Sequence, residues 1–195
     1  MTGFDNFLDV LTKYKSLILW VTTTSILLPL AADQVNLTPP WPKGIVLLTA
    51  IWQMLAIVVT FQFSHRLSRR SANRAIISAA LLMVAFSVVY LGALSKLTFE
   101  GGAARERLVK GFACTEEALR LEKYSKQCPF LSDRLINSAE STEQLWTPES
   151  ITSSRVLLLF LWLLTYIPIA ICFALFTTFQ SQQRTRVAVR PPTKP

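Results

Sequence analysis

The chain has 195 residues, of which 51% are hydrophobic and 16% charged, and a net charge of +8. The charged share is well below the roughly one quarter of an average soluble domain, and four long stretches carry no charge at all, which argues against a soluble bundle whose surface helices need a polar face. The excess of positive charge comes without a nucleic-acid recognition motif or an aromatic-interleaved basic surface, so no nucleic acid is expected as a partner, and anionic lipid headgroups are the ordinary ones.

In chain order, residues 1–15 read as a cytoplasmic amphipathic segment. Phe4, Phe7, Leu8, Leu11 and Tyr14 recur at helical spacing between Gly3 and Lys15, the pattern either of a helix lying in the headgroup interface or of a simple continuation of the first span. The four uncharged stretches are Leu17 to Ala32, Gly44 to Phe63, Ala75 to Leu94 and Val156 to Phe179. Crossing a hydrocarbon core of about 30 Å takes ~20 helical residues, so four transmembrane helices are expected at 16–32, 44–64, 75–94 and 156–179. The first carries Thr22, Thr23, Thr24, Ser25 and Pro29; their polarity is tolerable where hydroxyls return hydrogen bonds to carbonyls and neighbouring helices cover the proline. Asp5 and Asp9 precede it, unlike the basic leader of a cleaved signal peptide, so it is expected to be retained as a span.

Residues 33–43 form a short loop kept extended by Pro39, Pro40 and Pro42, with Trp41 suited to the membrane interface. Asn36-Leu37-Thr38 fits a glycosylation acceptor. Residues 65–74 hold Arg66, Arg69, Arg70 and Arg74, and residues 180–195 hold Arg184, Arg186, Arg190 and Lys194. Short cytoplasmic loops are enriched in Lys and Arg, so both basic segments are placed in the cytosol together with the N-terminus. The three inner segments contain ten Lys or Arg against Asp5 and Asp9, which equals the whole +8, while the two outer segments balance ten against ten. The inner arginines, Arg66, Arg69, Arg70, Arg74, Arg184 and Arg186 foremost, are therefore candidate contacts for lipid or a cytosolic partner.

The third span has a row of small residues including Ser78, Ala79, Ala85 and Gly92. Small side chains let helix backbones approach closely in lipid, so this helix is expected to pack against the other spans or against a second subunit. Residues 95–155 form the one large loop. Thr115-Glu116-Glu117 predicts an N-cap and a helix to about Tyr124, Ser132-Asp133 a second short helix, and Gly101-Gly102 and Pro129 mark breaks. Thr147-Pro148-Glu149 predicts that the last helix begins near 148, ahead of its apolar part, with Pro168 inside it. The fold expected is thus an all-α integral membrane protein, four transmembrane helices with a small disulfide-linked helical extracytoplasmic loop domain.

Cys114 and Cys128 both fall in the large loop, on the oxidising side by this topology, and are expected to form a disulfide; Cys172, inside the fourth span, is expected to be plain packing. Four spans with outer-loop cysteines are similar in outline to the quinone-coupled disulfide-forming oxidoreductases, but their C-x-x-C pair is absent. The span order is also that of tetraspanins, without their Cys-Cys-Gly motif. His65 is the single histidine, no His, Cys, Asp or Glu spacing fits a metal site, and the loop carboxylates read as a solvated surface. Neither an enzyme nor a cofactor is expected. Gln53, the strongest polar group within a span, reads as an interhelical hydrogen bond worth ~0.6–2 kcal/mol or as the lining of a pore in an oligomer. The leading expectation is a membrane scaffold or sensor whose outer loop meets a ligand or partner, acting as a homo-oligomer or with another subunit. The alternative is a pore or membrane effector, of the kind found in bacterial envelope and phage-defence systems.

Overall fold

The computed structural model describes residues 15–64, 67–101, 106–136, 138–139 and 144–188. The expected helix from Gly3 falls on residues 1–14, outside this range. The protein is mostly helical (73%). Its long elements are α1 (Lys15–Gln34), α2 (Ile45–Ser64) and α3 (Arg69–Leu97); then come strands β1 (Thr98–Gly101) and β2 (Glu106–Val109), the short helices α4 (Glu116–Arg120), α5 (Glu122–Ser125) and α6 (Asp133–Ile136), and the 41-residue α7 (Pro148–Ala188). Among the described residues, three segments are long and apolar enough to cross a membrane: Ile45–Ser64, Arg70–Leu97 and Pro148–Phe176.

The helices outrun the uncharged stretches. Loss of charge marks the part suited to lipid, whereas helix ends are set by where backbone groups find caps. α3 starts among the arginines, where Ser68 Oγ accepts from the backbone N–H of Ser71 at 3.2 Å. α7 starts at Pro148, whose missing N–H costs nothing in a first turn.

The segment between α3 and α7 departs from the all-helical expectation. β1 and β2 pair antiparallel, with Phe99 opposite Leu108 and Thr98 opposite Val109. Phe99 and Val109, on opposite faces of the pair, are buried and Thr98 partly so, positions that aromatic and β-branched residues suit. The helix expected over 116–124 is also divided. Thr115 caps its start, the side chain accepting from the Ala118 N–H at 3.1 Å, but Leu121 is extended (φ −90°, ψ 114°) and separates α4 from α5. In one continuous helix Ala118 and Tyr124 would point about 120° apart; the break lets both be buried.

The chain divides into two compact units. The first comprises residues up to Asn36, Val46–Val84 and Tyr166 onward. Its interior is partly polar: Ala50, Ala72, Ala79, Tyr166, Ala170, Ala174 and Leu175 are buried together with Ser25, Thr49 and Gln53. Within it the Cys172 thiol donates to the Ile76 carbonyl at 3.7 Å. The second unit comprises Leu37–Ile45 and Ala85–Thr165. Here Tyr90 donates to the Leu37 carbonyl at 2.6 Å and lies 5.2 Å, centroid to centroid, from Trp162, which ties the proline-rich segment and α3 to α7.

Candidate functional site

The second unit has its own hydrophobic core, formed by Phe99, Ala118, Tyr124, Leu131, Ile136, Leu145, Trp146 and Ile151. Trp146 is at its centre, fully buried, with its ring 6.1 Å from that of Phe99. Its indole N–H donates to the Pro129 carbonyl at 3.0 Å, so the one polar atom of a large apolar side chain is satisfied. Cys114 and Cys128 are disulfide-bonded, with Cα atoms 6.3 Å apart. Cys114 also bridges Trp146 in backbone pairing, so the crosslink joins the two chain stretches that frame the core tryptophan.

Close approach of backbone is required at Gly111. A Cβ there would meet Ser150 Oγ and come within 2.7 Å of Trp146 Cβ. Ser150 in turn donates to the Ala113 carbonyl at 3.1 Å, and Thr147 N–H to the same carbonyl at 3.1 Å. These bonds fasten the first turn of α7 to the residues before the disulfide.

One buried charge escaped the sequence reading. Lys110 Nζ donates to Asp133 Oδ1 at 3.0 Å and to the Leu131 carbonyl at 3.2 Å, and lies 5.8 Å from the Phe99 ring centroid. The lysine side chain is 10% exposed and the aspartate 65%. Asp133, expected on a solvated carboxylate surface, is thus half of an ion pair. Its partner is 23 positions away in sequence, a distance at which spacing carries no signal.

The core leaves several large apolar side chains facing outward. Phe112 (42% exposed), Leu119 (49%), Leu121 (51%) and Phe130 (55%) all belong to the short elements and turns of this unit. Phe112 and Phe130 flank the two bonded cysteines, two residues before one and two after the other.

The remaining expected site residues are placed as follows. Arg70 and Arg74 are exposed at the start of α3. Arg66 and the side chains of Arg69, Arg184 and Arg186 lie outside the described residues. The small-residue row on α3 separates by face: Ala79 is buried, whereas Ser78, Ala85 and Gly92, at seven-residue intervals, are exposed. A Cβ added at Gly92 would meet nothing within 4 Å. Gln53 is buried (1% exposed), and neither Oε1 nor Nε2 has a hydrogen-bond partner. Among the described residues no group of three or more His, Cys, Asp or Glu is placed to hold a metal ion. Comparison with family models, with curated proteins and with solved structures gives no match to this chain.

Proposed function

We propose that this chain is a four-span integral membrane protein, with both ends and the arginine turn in the cytosol, and that the folded segment between its third and fourth spans is a recognition domain. It acts without catalysis, as a scaffold or sensor. Three helices of sufficient length and apolarity support the membrane reading. α1 supports the fourth span, because its 20 residues extend about 30 Å. Confinement of the net +8 to the segments assigned to one side supports the orientation, as does a disulfide in the segment assigned to the other.

The observation that carries the recognition reading is the outward placement of Phe112, Leu119, Leu121 and Phe130 on a unit that already has a complete core. A loop serving only to connect two spans has no need of a core or crosslink, and exposed aromatic and aliphatic side chains on a small rigid unit are the usual anchors of protein contacts. The test is photo-crosslinking in intact cells with a reactive residue at Leu119 or Leu121. A discrete adduct is expected, weakened in a Phe112→Ser, Phe130→Ser double variant that still forms its disulfide. Absence of any adduct from both positions would sink the reading.

Gln53 favours a second reading, a conducting path. Its amide is enclosed by its own chain, so such a path would run through one subunit. Ion flux into liposomes that is lost in Gln53→Leu would favour it over the scaffold.

A further inference from the structure

Gln53 occupies the ninth position of the 20-residue α2, about 12 Å from one end and 16 Å from the other at 1.5 Å per residue. In the membrane reading this is close to the middle of the bilayer. The side chain is 1% exposed, so it does not snorkel to either headgroup region and does not face lipid. Both ends of the amide, the acceptor Oε1 and the donor Nε2, are without partners. Burying such a group unpaired is costly anywhere, and in hydrocarbon no solvent can make up the loss.

The surroundings are not those of a dry core. One turn before it on the same face of α2 is Thr49, fully buried, and Ser25 of α1 is buried in the same unit. Five of the buried apolar residues of that unit are alanines, Ala50, Ala72, Ala79, Ala170 and Ala174, beside the larger Tyr166 and Leu175. Small side chains and hydroxyls make a polar interior, the kind that holds water where an apolar one stays empty.

We propose that Gln53 is an internal hydration site at mid-membrane depth, binding water through both ends of its amide. The guest must offer both a donor and an acceptor to an amide enclosed by its own chain, and water is the smallest molecule that does so. Two bonds to the amide satisfy both orphaned atoms at once, within the roughly three that a buried water forms. The inference rests on the membrane reading of α2 and is independent of the recognition domain.

The full chain, reconstituted in lipid nanodiscs, tests it by water-edited solid-state NMR. Trp52-Gln53 is the one Trp-Gln pair in the sequence, so carbonyl-13C tryptophan with 15N glutamine assigns the Gln53 backbone amide, and the side-chain amide signal lost in Gln53→Met is that of Gln53 Nε2. The expected result is transfer from water to the Gln53 side-chain amide alongside the exposed Gln127 and Gln144, and loss of its protonated signal in D2O. An amide that receives no transfer and keeps its protons in D2O overturns the proposal. Retention of the chain in the nanodisc is scored separately and bears on the membrane reading alone.

Discussion

Gly111 shows how little room some single positions leave. A methyl group there would press on Ser150 Oγ and on the Cβ of the fully buried Trp146, and the latter is fixed to its backbone and cannot swing aside. Gly111→Ala should therefore destabilise the second unit by about 1–3 kcal/mol, as overpacking of a close-packed core does, read as a lower thermal midpoint with the disulfide intact. Tyr124 makes a prediction about pH. The Lys123 ammonium lies over its ring, 4.4 Å from the centroid, and with the Ser138 hydroxyl at 3.4 Å from the phenol oxygen it holds the Tyr124 pKa below the ordinary 10.0, against the opposing effect of burial. Spectrophotometric titration should find one tyrosine ionising early, and Lys123→Met should reduce that shift. The sign matters for stability: a folded value depressed below the unfolded one contributes only above the unfolded value and is lost as pH falls through the folded value. Lys123→Met should thus change stability by that route in strongly alkaline solution and not near neutrality.

Elements differed in how far the residues announced them. Starts at Thr115 and Pro148 were legible because capping is local: a hydroxyl, a proline and an acid act within one turn of each other. The apolar runs were legible because a single solvent property governs twenty residues at once. The hairpin was not, since Gly101 and Gly102 read equally well as a break, and what makes Phe99 a strand residue is Trp146, far along the chain. Leu121 was missed for a similar reason. Nothing in Leu-Arg-Leu-Glu ends a helix; the break serves the burial of Ala118 and Tyr124 together. Lys110 with Asp133 and the orphaned amide of Gln53 likewise depend on tertiary neighbours. The disulfide, by contrast, followed from compartment and proximity in sequence. Its separation of 14 residues corresponds to about 3 kcal/mol in the chain-entropy model, so Cys114→Ala, Cys128→Ala together should lower the thermal midpoint of the second unit and make Trp146 fluorescence more accessible to quencher.

For the whole molecule, sidedness and self-association are the properties to test. A cysteine introduced at the exposed Ser71, beside Arg70 and Arg74, should resist a membrane-impermeant thiol reagent in sealed cells and react after permeabilisation; labelling of intact cells would reverse the orientation and remove the case for an outer recognition domain. The exposed line Ser78, Ala85 and Gly92 on α3 suits contact with a second copy. Because Gly92 has open space around it within one chain, Gly92→Leu should leave the monomer folded and reduce the mass measured by light scattering in detergent. An unchanged mass would remove α3 as the contact.

Between Leu97, the last residue of α3, and Thr98, the first of β1, there is no intervening residue, and the Lys110 N–H closes onto the Leu97 carbonyl at 2.7 Å. At the other end Trp146, in the core, is followed after one residue by the start of α7. The folded segment consequently hangs from two helices with no slack in either attachment. A force or a fitted molecule that turns it must turn those helix ends with it, because there is no spare chain in which the displacement could be absorbed.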